Sequence, residues 1–131
     1  MDDATARAVA YVAGRLVTDR PSGGVIDRLD GTYTGFTGDV GADRVAVFDQ
    51  VSACWVLGRR QDAGPLWLFS QQTAQYLSLA VDGHHAFSGH DQATHHGFEV
   101  LAETSGCVEV IDHQDGRWRR YRLPEARLLV G

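Results

Sequence analysis

The chain has 131 residues, the length of one domain. With 44% hydrophobic and 22% charged residues it is not a disordered, collagenous or low-complexity chain, and none of its apolar stretches is long enough for a membrane-spanning helix. A formal net charge of −5 disfavours nonspecific binding to a phosphate backbone, so neither nucleic acid nor membrane is expected as a partner; without a charged-then-apolar leader, the expected compartment is the cytoplasm.

Residues 4–17 admit two readings. Ala6, Val9, Ala10, Ala13, Leu16 and Val17 fall at helical spacing, with Asp3 or Thr5 placed to cap the first turn. Alternatively, Tyr11-Val12-Ala13-Gly14-Arg15 echoes Trp55-Val56-Leu57-Gly58-Arg59 and reads as a strand. Both readings stay open at this level.

Beyond residue 17 the chain repeats itself. Ile26 to Tyr33, Phe69 to Tyr76 and Ile111 to Trp118 each show an apolar residue, a small polar one, a polar stretch and an aromatic. The three segments start 43 and 42 residues apart. Trp55-Val56-Leu57 matches Phe98-Glu99-Val100-Leu101 at the same interval, and Val47-Phe48, Ala86-Phe87 and Leu128-Leu129 follow more loosely. A period of this length marks a repeat architecture. The units run approximately over 18–58, 59–101 and 102–131, the last completed by 6–17. In the middle unit four short apolar runs, Leu66–Phe69, Tyr76–Ala80, His84–Phe87 and Gly97–Leu101, are separated by turn signals, among them Asp82-Gly83. Such spacing predicts hairpins and an all-β fold. Three units of four strands are too few blades for a propeller and suit a threefold closed barrel. The expected core is Tyr33, Tyr76, Trp118, Trp55, Phe98, Phe48, Phe87, Leu68, Leu77, Val110 and Leu128.

The run Leu66-Trp67-Leu68-Phe69-Ser70, then Gln75-Tyr76-Leu77-Ser78-Leu79, Asp82-Gly83 and Phe98-Glu99-Val100-Leu101 resembles one repeat of a β-trefoil of the fascin-like kind. The resemblance implies a single β-trefoil domain over 1–131. Weaker similarity to arabinose-binding trefoils, through Asp91-Gln92-Ala93-Thr94 and Gly116-Arg117-Trp118-Arg119, and to lectin-like trefoils, through aromatics, amides and Asp-Gly loops, implies sugar binding. The Q-x-W signature of ricin-like lectins is absent.

Candidate functional residues are sought where the units differ. The middle unit holds His84, His85, His90, His95 and His96, five of the six histidines. Imidazoles suit metal ligation or acid–base work near neutral pH, but no HExxH or Cys-rich partner accompanies them, so neither metal nor other cofactor is expected. In the third unit, Arg117, Arg119, Arg120 and Arg122 surround Trp118 and Tyr121; all 12 basic residues are arginine. Alternation puts Arg117, Arg119 and Tyr121 on one face, where guanidinium and aromatic groups together suit an anion, a sugar or a partner protein. Cys54 and Cys107 form neither a CxxC pair nor a zinc spacing and read as free thiols. No nucleophile elbow or phosphate-cradling loop is present.

The expectation is a non-catalytic binding module, carbohydrate-binding and lectin-like, with Asp91, His95, Arg117, Arg119, Tyr121 and Trp67 at the ligand. The alternatives are a fascin-like protein-interaction module, with Trp67 and the Arg–Trp strand exposed, and a small cyclase or isomerase using His84, His85, His95 and His96. The partner is a glycan or a protein surface, and the chain a monomer or weak homodimer.

Overall fold

The computed structural model describes residues 1–125. It opens with one helix, α1 (Asp3–Thr18), followed by ten strands: β1 (Gly24–Asp27), β2 (Tyr33–Val40), β3 (Arg44–Asp49), β4 (Cys54–Arg60), β5 (Leu66–Ser70), β6 (Gln75–Val81), β7 (Ala86–Asp91), β8 (His96–Ala102), β9 (Cys107–Asp112) and β10 (Trp118–Arg122). Each strand pairs antiparallel with its sequence neighbours, and β1 closes on β10. The result is an up-and-down barrel with no free edge.

The β-trefoil expectation, fascin-like or lectin-like, is therefore wrong: ten strands follow one another around a single meander. The true unit is one hairpin of about half the expected length. Asp27, Asp49, Ser70, Asp91 and Asp112 each end the first strand of a hairpin; a loop of four or five residues follows, and its fourth residue has positive φ. Those residues are Gly31 (φ 75°), Ala53 (55°), Ala74 (54°), His95 (60°) and Gly116 (68°). In four loops the opening Asp accepts a hydrogen bond from the N–H two residues on: Leu29, Val51, Ala93 and Gln114, at 2.8–3.0 Å. This local bond is why Asp suits the first position. A period of 43 is two such hairpins. The segments beginning at 26, 69 and 111 are the first, third and fifth hairpins, and Trp55 belongs to the second.

The expected core is corrected in the same way. Residues flanking the loops alternate inward and outward, and the aromatics two positions past the loops' positive-φ residues point out. Tyr33, Tyr76 and Trp118 are 51%, 50% and 47% exposed, so no threefold axis buries them together. Trp55 is also outside, beside the half-buried Phe48. Phe98, Phe87, Leu68, Leu77 and Val110 are buried as expected. Leu128 lies outside the described residues.

Residues 3–18 take the helical reading, not the closing strand. Asp2, and neither Asp3 nor Thr5, caps the first turn, accepting from the Thr5 N–H at 2.7 Å, and Asp19 ends the helix in the left-handed region. Ala6, Val9, Ala10, Tyr11, Val12 and Ala13 are at most 1% exposed, so the helix is enclosed on every side. A 16-residue helix is about 24 Å long, and strands of six residues span about 20 Å. α1 thus runs the length of the barrel. Eight strands leave an interior just wide enough for side chains; ten leave room for a slim helix, and alanine keeps this one slim. It lies against β8, β9, β10, β1 and β2, while Val47, Val56, Leu66, Leu68, Leu77 and Leu79 on β3–β6 fill the other side. Tyr11 stacks on Phe36, with ring centroids 4.6 Å apart.

The helix start faces the ring of loop-opening carboxylates. Arg7 donates to Asp49 at 2.9 Å, and the Met1 amino group to Asp112 at 2.7 Å. A helix N-terminus carries partial positive charge, so this end of the barrel is electrostatically matched. No described helix is long and apolar enough to cross a membrane.

Candidate binding face

The outer surface of β3–β6 is built from alternation. Each strand turns every second residue outward, and register lines these residues up in rows. In the first row Phe48 stands opposite Trp55. In the second, Asp39, Ala46, Leu57, Phe69 and Tyr76 follow one another across five strands. In the third, Arg44, Arg59, Trp67 and Ser78 do so across four. The ring pairs Phe48–Trp55 and Phe69–Tyr76 sit at 5.3 and 5.0 Å, tilted by 56° and 57°. Trp55, Leu57 and Trp67 are 39%, 45% and 43% exposed. Seven apolar side chains thus share one contiguous outer face.

Between the second and third rows the surface dips into a cleft of about 610 Å³, lined by Asp39, Arg44, Ala46, Leu57, Arg59 and Trp67, with Val45 and Gly58 at its floor. Gly58 is needed on the inner side of this floor: a Cβ there would stand 2.6 Å from Leu68 Cδ2 and 3.0 Å from Val45 Cβ, both in the core. Arg44 and Arg59 are directly opposite one another. Among the described residues neither takes part in an ion pair within 4.0 Å.

The other sequence-predicted site residues are dispersed. Asp91 and His95 are the two ends of one hairpin loop, His95 N–H donating to Asp91 O at 2.9 Å; Asp91 is buried and Oδ1 accepts from Ala93. Their work is to shape the loop. Arg119 and Tyr121 do share the inner face of β10, as alternation predicts, but Arg119 is committed internally. Its guanidinium lies 3.5 Å from Asp3, 3.8 Å from Asp112 and 3.6 Å from Asp115, and donates to Met1 O. Burial pushes the Asp112 carboxyl up, yet the bonds from the Met1 amino group and Gln114 N–H and the nearby Arg119 charge outweigh it and hold it below the ordinary range. Tyr121 is pushed up to about 12, first by burial and then by Asp27. Arg117 is exposed beside Trp118, which faces out of the barrel end over a second cleft of about 350 Å³ shared with Asp27, Leu29 and Tyr121.

The histidines do not converge. His84 and His85 stack at 3.9 Å in the β6–β7 turn, at the end of the barrel where α1 finishes. His95 ends the β7–β8 loop and His96 opens β8 at the opposite end, separated from the first pair by the length of β7, about 20 Å. The acid–base cluster of the enzyme alternative therefore does not form from these four residues. Among the described residues no group of three or more His, Cys, Asp or Glu is placed to hold a metal. Cys54 and Cys107 are free and half-buried.

The chain matches no known protein family, no curated protein and no solved structure. What the surface can do follows from its own geometry. Of the residues expected at the ligand, Trp67 alone lies on the β3–β6 face; Phe48, Trp55 and Tyr76, expected in the core, share it, and Leu57, Arg44 and Arg59 are new to the site. One signal was available. Trp55, Leu57 and Arg59 alternate along one strand, and an arginine in that series argues that the series faces solvent.

Proposed function

We propose that this protein is a non-catalytic binding module and that the outer face of β3–β6 binds a partner protein. The contiguous exposed apolar surface supports this above all other observations. Soluble monomers rarely leave such a patch uncovered unless it binds something. The residue types also fit: Trp, Tyr and Arg are the side chains that dominate binding hot spots. α1 fills the middle of the barrel, where other barrels hold a small ligand; an opening of about 590 Å³ beside Leu16, Leu66, Leu79 and Phe87 remains at the mouth where the helix ends, without the exposed aromatic rows of the outer face. The tilted ring pairs and the intervening Leu57 give a ridged surface that suits interdigitating side chains.

A glycan is the second reading. Trp67 stands between Arg59 and Ser78, an aromatic face beside groups able to bond hydroxyls. Random-peptide display against the wild type and a Leu57→Gln/Trp67→Gln variant, alongside a glycan array, separates the two. Both substitutions are on outward side chains, so the variant should melt like the wild type. The protein reading expects peptides enriched on the wild type to lose the variant. Peptides retained equally by both, or array signals that only the wild type gives with no peptide enriched, would contradict it.

A further inference from the structure

We infer that the cleft beside Trp67 anchors a carboxylate of the partner, and that the partner presents it on an acidic segment carrying bulky apolar residues. This rests on the β3–β6 face being the binding surface and adds the chemistry of what binds there.

Arg44 and Arg59 face each other directly across β3 and β4, and like charges so placed destabilise a sheet. Nothing among the described residues neutralises them by an ion pair. A carboxylate set between two guanidinium groups removes that repulsion and accepts the paired N–H bonds for which the arginine fork is shaped. The surroundings sharpen the choice. Trp67 is the cross-strand neighbour of Arg59, and Leu57 borders the same cleft, so the anchor stands next to apolar contact area. Asp39 lines the cleft too, on the Ala46 side, and repels an acid there. The anion is therefore directed toward Arg59 and Trp67. The rest of the molecule has an excess of acid, with a net charge of −5 overall, so this spot of unpaired positive charge also orients an acidic partner during approach.

The test uses fluorescence anisotropy with the full chain and two labelled peptides of matched length: one alternating Asp and Glu with Leu and Phe, the other with Asn and Gln in place of the acids. The acidic peptide should bind the wild type at least about tenfold more tightly, and added NaCl should weaken it alone. Arg44→Gln/Arg59→Gln should bring it down to the level of the neutral peptide, with a thermal melt no lower than that of the wild type, since the repulsion between the two charges is removed. Arg44→Lys/Arg59→Lys, which keeps the charge but not the fork, should fall between. Equal binding of the two peptides by the wild type would overturn the carboxylate anchor while leaving the surface in place. Failure of both peptides would overturn the anchor, and the display experiment would then decide whether the surface itself survives.

Discussion

At the scale of single residues, the loops carry the most telling conformations. Ala53 and Ala74 take φ of 55° and 54°, where a side chain is strained and glycine is not. The equivalent loops with Gly31 and Gly116 at that position avoid this strain. Ala74→Gly should therefore raise stability by about 0.5–1 kcal/mol in urea unfolding, the relief of strain exceeding the added chain entropy; a loss of stability would show the loop to be set by other forces. Tyr121 gives a second residue-level expectation. Its phenol is held neutral in the folded state, up to about 12 against an ordinary 10.0. A raised folded pKa means that the folded state holds the proton longer. The contribution is thus complete below pH 10 and is lost as pH rises from 10 through 12. Melting curves over that range should fall, and Tyr121→Phe should flatten the fall; an identical decline in the variant would assign it to other groups.

At the scale of elements, the strands were legible and their grouping was not. Alternation marked β5 to β8 within a residue or two at most ends, and Asp82-Gly83 does form the β6–β7 turn. The misreading was one of phase. Matching Trp55 to Phe98 equated an outward residue with an inward one; the true counterpart of Trp55 is Gly97, one residue earlier, since each stands two past the positive-φ residue of its loop. A slip of one reverses every side chain of a strand. Exposed aromatics made the slip easy, because a tryptophan in sequence does not reveal its side of the sheet.

The helix, too, was visible as a pattern, but its enclosure was not: an Ala-rich segment reads equally as a surface element. Its fit depends on small size at Gly14. A Cβ there would stand 2.7 Å from both Leu123 methyl groups and 3.1 Å from Val108 Cγ2. Gly14→Val should thus cost about 1–3 kcal/mol through overpacking, despite removing a helical glycine. A rise in the melting temperature would mean that α1 sits more loosely than the close approach implies.

At the scale of the whole molecule, the enclosed helix favours the proposed binding on the outside of the barrel. A barrel filled by its own helix offers partners its rim and its outer wall, and the wall is unequal: apolar and arginine-bearing over β3–β6, while on β8–β10 the exposed Leu101 and Trp118 are interspersed with Glu99, Glu109, Arg120 and Arg122. Two of those acidic and basic groups meet, Arg120 donating to Glu109 at 3.2 Å, while among the described residues Arg44 and Arg59 face each other without an ion pair to either. The location of this asymmetry could not be read without the register that lines up the rows.

The three tryptophans report on that asymmetry directly. Trp55 and Trp67 stand on the β3–β6 face, and Trp118 stands on β10, outside it. In a ¹H–¹⁵N spectrum of the full chain titrated with a display-selected peptide, the indole signals of Trp55 and Trp67 should shift together while that of Trp118 stays fixed. A peptide that moves Trp118 and leaves the other two in place would put the working surface elsewhere on the barrel.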